Sequence, residues 1–133
     1  MDHGQDLHYL SIGELGPMIE SRRVSPVEVT EAYLERIRQL NPQIHSYITV
    51  MEEHSIAAAR HAEQEIQRGR YLGPLHGVPI GLKDIIYTKG VPTTSGSLFL
   101  QDFVPSYDAT VVEHLLEAGA IIMGKLNLHE FAC

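Results

Sequence analysis

The sequence predicts an α/β fold, and three observations carry that prediction. Residues 11–68 hold stretches in which apolar side chains recur every three to four positions, the period of a helix with one buried face. From residue 73 onward Gly, Pro, Thr and Ser become frequent and short apolar runs replace the long helical periods, the pattern of strands and site-forming loops. Within that second half, the order strand, helix, strand over residues 78–124 permits a right-handed parallel crossover.

Each element has its own local reason. Ser11-Ile12-Gly13-Glu14 has the spacing of a capping box and opens a helix with Ile12, Leu15, Met18 and Ile19 on one face, ending near Arg22-Arg23. Ser25 as N-cap, Pro26 at the first helical position and Glu28 at the third start a second helix. Val29, Tyr33, Leu34, Ile37 and Leu40 form its apolar stripe, and Asn41-Pro42 is predicted to stop it. Residues 46–51 are rich in β-branched and aromatic side chains and read as a strand. A third helix follows over 53–68, with Ile56, Ala59, Ala62 and Ile66 inward and Gly69 as its stop. Residues 78–86 read as a strand entered through Pro79, which disfavours a central place there because proline cannot donate to the ladder. Residues 89–102 are loop-rich. Asp108 is placed to cap a helix through Ala118, Gly119 ends it, and 120–124 form a short, fully apolar strand. Asn127-Leu128-His129-Glu130 repeats the cap spacing and predicts one more helix start.

Length and composition bound the function. A chain of 133 residues allows one domain at most, and 44% apolar content suffices for a modest core. Ten Lys+Arg against seventeen Asp+Glu give a formal charge of -7, which opposes a polyanion surface, so no direct nucleic-acid binding is expected. Arg22-Arg23 and Arg68-Gly69-Arg70 are read as helix ends, where positive charge suits the dipole. The single cysteine, Cys133, excludes an intramolecular disulfide and fits a reducing compartment, and the expected location is the cytoplasm. Met1-Asp2-His3-Gly4-Gln5-Asp6 has neither a basic region nor an apolar core, so a secretory signal is not expected. No apolar run is long enough to span a bilayer.

Lys83 stands out chemically. It lies in Gly77-Val78-Pro79-Ile80-Gly81-Leu82-Lys83-Asp84, a cation inside an apolar, strand-like run. There it either exposes its ammonium at a strand end or works as a buried base whose pKa is depressed by surroundings such as Val78, Ile80, Leu82 and Ile85. Asp84 next to it would favour the charged ammonium, unless strand alternation sends the two side chains to opposite faces. Other candidates have plainer readings. Ser95 and Ser97 are read as loop serines that cap or turn, and His76 as a packing residue before a Gly-Val-Pro turn. His54 and His61 do not make a zinc site, and Gly73, Gly77 and Gly81 lack the lysine-threonine ending of a phosphate loop, so no metal or cofactor is expected.

Four stretches occur in order. They are Gly73-Pro74-Leu75-His76 continuing through Lys83-Asp84, then Gly90-Val91-Pro92-Thr93-Thr94-Ser95-Gly96-Ser97, then Asp108-Ala109-Thr110-Val111-Val112, and last Gly119-Ala120-Ile121-Ile122-Met123-Gly124-Lys125-Leu126-Asn127. Together with Ser25-Pro26-Val27-Glu28 and Arg36-Ile37-Arg38-Gln39-Leu40-Asn41-Pro42, they resemble the amidase signature family over residues 11–133. Leu126, where the family often has a small polar residue, and the apolar Ile85-Ile86-Tyr87 depart from its usual pattern.

The resemblance implies an amidohydrolase acting on a carbon-nitrogen amide bond, with Lys83 as the base of a Ser-cisSer-Lys triad. It places both serines in a glycine- and serine-rich stretch several dozen residues downstream of the lysine-bearing segment, past Cys133. The chain is therefore expected to be the amino-terminal part of an amidase-signature fold, a mixed β-sheet core covered by helices and incomplete here, and inactive alone. Residues 1–133 are read as a portion of a single amidase domain, with two leading helices over 11–41 and a lysine-bearing α/β region over 46–133. The implied partners are a small-molecule amide substrate and, for the amidase component of a tRNA-dependent amidotransferase, further amidotransferase subunits. A non-catalytic structural or interaction module derived from an amidase is the alternative. A fold interrupted at residue 133 is also expected to leave the strand over 120–124 without a neighbour, an edge that favours association.

Overall fold

The computed structural model describes residues 7–133. The reading of residues 1–6 as lacking a secretory signal falls outside the described residues. Among those described, no helix is long and apolar enough to cross a membrane.

Helix α1, Ile12–Glu20, starts at the expected capping box, where the Ser11 N–H donates to Glu14 Oε2 at 2.8 Å. Leu15 and Ile19 are buried in a cluster with Val24, Val29, Ile66 and Val78, whereas Ile12, in the first turn, lies outside that cluster and is exposed. Helix α2, Pro26–Ile44, starts at a reciprocal box in which the Glu28 N–H donates to Ser25 Oγ and the Ser25 N–H to Glu28 Oε2. Its expected stop at Asn41-Pro42 is overridden. The helix runs on to Ile44 and ends at His45, which has φ 49° and donates its N–H to Asn41 O at 2.8 Å. Pro42 removes one backbone donor, and the Asn41 side chain fastens this turn to the next strand by donating to Tyr47 O and accepting from the Tyr47 N–H.

Strand β1, Tyr47–Val50, and helix α3, Glu52–Gln67, lie within a residue or so of expectation, and Gly69 follows α3 at φ 86°. Strand β2, Pro79–Lys83, is shorter than predicted. After Lys83 the chain turns out of the sheet, with the Ile86 N–H on Lys83 O and the Ser95 N–H on Asp84 O. Helix α4 is Thr110–Glu117 with Ala109 at its N-cap; Asp108 does not cap it, because its carboxylate accepts from the Lys89 N–H at 2.7 Å. Strand β3, Ile121–Leu126, reaches beyond the expected Gly124. The helix expected from Asn127 is only a 3-10 turn at Glu130–Ala132, since the Asn127 side chain donates to His45 O at 3.0 Å and accepts from its neighbour's N–H.

The sheet order is β1-β3-β2, with β1 antiparallel and β2 parallel to β3. This corrects the expectation of an unpaired 120–124 strand: β3 is central, and the open edges are β1 and β2. Both faces of β3 are covered. Ile121 and Met123 pack with Leu34 of α2 and Ala59 of α3, whereas Ile122 packs with Leu82 and with Val112 of α4. That double burial explains why β3 reads as a continuous apolar run rather than an alternating one.

Registry along β3 is broken once on each side. Ile80 pairs with Ile122 but Gly81 pairs with Gly124, so Met123 is an extra residue against β2. Gly124 holds φ 155°, and a Cβ there would lie 2.1 Å from Thr49 O. Only glycine fits that approach. Gly124→Ala is expected to cost roughly 3 kcal/mol or more, through clash and backbone strain, and to spread β1 from β3. A lowered Tm with loss of amide protection at Val50 and Met51 is the outcome to look for in hydrogen exchange.

Candidate functional site

The carboxyl ends of the parallel strands β2 and β3 sit side by side, the place where open α/β sheets receive ligands. Lys83 is the last residue of β2 and is exposed. It borders an open hollow of about 760 Å³ lined by Ile44, His45, Ser46, Leu126, Asn127, Leu128 and His129 among others. Of the two placements open to Lys83 in the sequence, the described structure shows the exposed strand end. The apolar residues expected to bury it serve other contacts: Val78 packs in the cluster with Ile19 and Val29, and Leu82 packs with Ile122 and Val112.

Alternation separates Lys83 from its acidic neighbour, as the strand geometry requires. Asp84 points to the face of Leu82 and is fully buried. Its Oδ2 accepts hydrogen bonds from the Thr94 N–H at 3.0 Å and from the Thr94 hydroxyl. Its Oδ1 lies 3.5 Å from Lys125 Nζ. Lys125, equally buried, donates to Thr93 Oγ1 at 2.6 Å and to Ile86 O at 2.8 Å. Burial pushes the Lys125 ammonium below the ordinary lysine range, and Asp84 opposes that shift.

Sequence reasoning singled out Lys83 and passed over Lys125. The signal was there, since Lys125 also stands in an apolar run. What hid its placement is the irregularity at Met123-Gly124. Strict alternation would send Lys125 to the α2 and α3 face with Ile121 and Met123. The extra residue instead sets Lys125 opposite Leu82, on the face of Ile122 and Asp84.

The other candidates take structural parts. Ser97 Oγ donates to Glu130 Oε1 at 2.7 Å and accepts from the Phe99 N–H, capping the short turn Leu98–Leu100. Ser95, at φ 54°, bonds through its backbone to Asp84 O and to the Phe131 N–H. His76 is fully buried; its Nδ1 accepts from the Leu72 N–H at 3.1 Å, and its Nε2 lies 3.2 Å from Glu65 Oε2. Gly119 leaves room for the ring, because a Cβ there would come within 2.4 Å of His76 Cδ2. None of these three reaches the hollow beside Lys83 as one of its named walls.

Fold and site together define an α/β chain of the amidase-signature class. A profile of the Amidase family matches residues 28–133, and the chain belongs to that family. AmiD, a candidate amidase of Mycobacterium tuberculosis, is 50% identical over 123 residues, covering 92% of this chain and 26% of that protein. A glutamyl-tRNA(Gln) amidotransferase subunit of Chloroflexus aggregans is 47% identical over 127 residues, covering 96% and 26% respectively. The crystal structure of the peptide amidase of Stenotrophomonas maltophilia superposes with a TM-score of 0.85 at 35% identity, over 91% of this chain and 25% of that one. The chain thus spans about a quarter of the length of these relatives.

The environment of His76 gives a pH dependence. Burial pulls its pKa below the ordinary histidine value, against the opposing pull of Glu65, so the folded state keeps the ring neutral where the unfolded chain takes up a proton. The stability held by the neutral ring is present above about pH 6.5, the unfolded value, and is lost as pH falls through the depressed folded value. His76→Gln is expected to flatten the decline of Tm between about pH 7 and pH 5, whatever its baseline stability. An unchanged slope in melting curves over that interval would count against this role.

Proposed function

We propose that this chain is the amino-terminal portion of an amidohydrolase that cleaves a carbon-nitrogen amide bond by a Ser-cisSer-Lys mechanism, with Lys83 as the base. One observation carries the reading: Lys83 ends a parallel strand at an open hollow, turned away from Asp84, in a chain of the Amidase family. Acyl transfer needs a serine made nucleophilic by a neighbouring base, and an amine is a base only when neutral. Free lysine has a pKa of ~10.4, so desolvation must favour the neutral amine for work near neutral pH. The rest of the domain, carrying the relay and nucleophilic serines, would cover the hollow and supply that desolvation.

Residues 1–133 form part of one domain in this reading, with the helices Ile12–Glu20 and Pro26–Ile44 leading into the lysine-bearing region over 46–133. A small-molecule amide is the substrate, and the cytoplasm, with its reducing conditions, is the location that suits the lone Cys133. The 47% identity to a glutamyl-tRNA(Gln) amidotransferase component supports a second form of the same chemistry, in which the amidase works beside other amidotransferase subunits.

The 133-residue chain alone is expected to release no ammonia from amide substrates, while the full-length protein does. In the full-length protein Lys83→Ala should lower kcat/KM by about three orders of magnitude or more without lowering Tm, because members of such a triad act as a unit. Lys83→Arg should fail almost as badly, since a guanidinium stays protonated. An arginine variant retaining most of its activity at neutral pH would mean that the residue acts by charge alone, and ammonia release by the isolated chain would overturn the assignment of the serines to the remainder.

A further inference from the structure

Two lysines reach the carboxyl end of the β2–β3 pair, one on each face: Lys83 is exposed and Lys125 is fully buried. Asp84 stands between them in the chain, directly after Lys83. A carboxylate held so near a lysine that must act as a neutral amine works against it, because negative charge favours the ammonium form. Asp84 is nevertheless built firmly into the structure. Its N–H donates to Leu126 O at 2.9 Å, its carbonyl accepts from Ser95, and its side chain accepts from Thr94 twice.

We propose that Lys125 is a positioning and charge-balancing residue for Lys83: its buried ammonium holds Asp84 on the opposite face of β2 and cancels that carboxylate's charge next to the base. This inference rests on the reading of Lys83 as the base. The ammonium lies 3.5 Å from Asp84 Oδ1, an oxygen that has no hydrogen-bond donor of its own among the described residues. Through Ile86 O and Thr93 Oγ1 the same ammonium fixes both limbs of the loop that leaves β2, so the end of the strand has one geometry. Among the described residues, the groups that hydrogen-bond the pair, the hydroxyls of Thr93 and Thr94, the Thr94 N–H and the Ile86 carbonyl, are neutral. Glu130, on the segment that bonds the Ser95 backbone, is engaged by Ser97. On the Lys83 side, the titratable groups that border the hollow are His45 and His129. Lys125 is therefore the cation that balances Asp84.

A purely structural ion pair and a charge-balancing one predict different pH profiles. In the full-length enzyme, Lys125→Met removes the balancing cation and leaves the Asp84 carboxyl with its two Thr94 donors alone, and the acid limb of the kcat–pH profile should move up by about one pH unit. Asp84→Asn removes the opposing carboxylate and should move that limb down. The double variant Lys125→Met/Asp84→Asn removes both charges while keeping the buried volume, a replacement that protein interiors tolerate, and should return the limb close to its original position. Damage to the scaffold alone gives neither opposite displacements nor their cancellation. Limbs that stay in place, or a double variant displaced as far as Lys125→Met, would overturn the proposal. Should Lys125→Met not fold, the downward displacement in Asp84→Asn and its reversal in the double variant decide the matter. Lys83→Ala is the control that separates the two ideas: if it abolishes turnover while the limbs do not move, the charge-balancing role alone falls; if it leaves turnover intact, the base assignment falls with it.

Discussion

A buried ammonium and a buried carboxylate, Lys125 and Asp84, brace the carboxyl end of β2 and the loop that follows it. Removing two charges from water costs several kcal/mol per ion, and their mutual attraction offsets that only when hydrogen bonds complete the pair. Here they do so in large part: Lys125 gives two hydrogen bonds and Asp84 accepts two more. With Lys125 anchored in β3, the end of β2 and the loop carrying Thr93 to Ser95 have one place to sit, and Lys83 is left facing the other way.

The central position of β3 makes that anchoring possible. A strand paired on both edges and packed on both faces has little freedom to shift, so a lysine reaching from it is held at a defined depth. The extra residue at Met123-Gly124 decides which face the lysine takes. Strict alternation would send Lys125 to the face of Ile121 and Met123, among the apolar residues of α2 and α3. A backbone detail with no charge of its own thus puts Lys125 and Asp84 on one face.

The hollow at the strand ends shows the complementary design. Its walls mix polar groups, His45, Ser46, Asn127 and His129, with the apolar Ile44, Leu126 and Leu128. Its floor is braced by the Asn127 side chain on His45 O and by the Asn127 N–H on Ser46 O, so the segments after α2 and after β3 are tied together beneath Lys83. Such a surface suits a domain in which further chain closes over the lysine, in keeping with a chain that spans about a quarter of its relatives' length.

What the sequence determined by itself was everything whose partners lie a few residues away. The capping boxes at Ser11 and Ser25 and the positive-φ glycines after α3 and α4 are satisfied within a turn or two of backbone, and each stands where the residues placed it. Lys83 was conspicuous in the sequence as a cation in an apolar strand-like run, and the structure places it at the exposed end of β2. Tertiary structure decided the features whose partners are distant. Asn41 binds Tyr47 and carries α2 past Pro42; Asp108 is drawn from its cap to Lys89; Asn127 is drawn to His45 instead of starting a helix. It also decided that β3 runs through the centre of the sheet and that Lys125 meets Asp84 across a shifted registry. Hydrogen bonds and ion pairs between remote segments form only once strands align, and the face on which a side chain emerges reverses with a single extra residue, so local pattern alone cannot assign it.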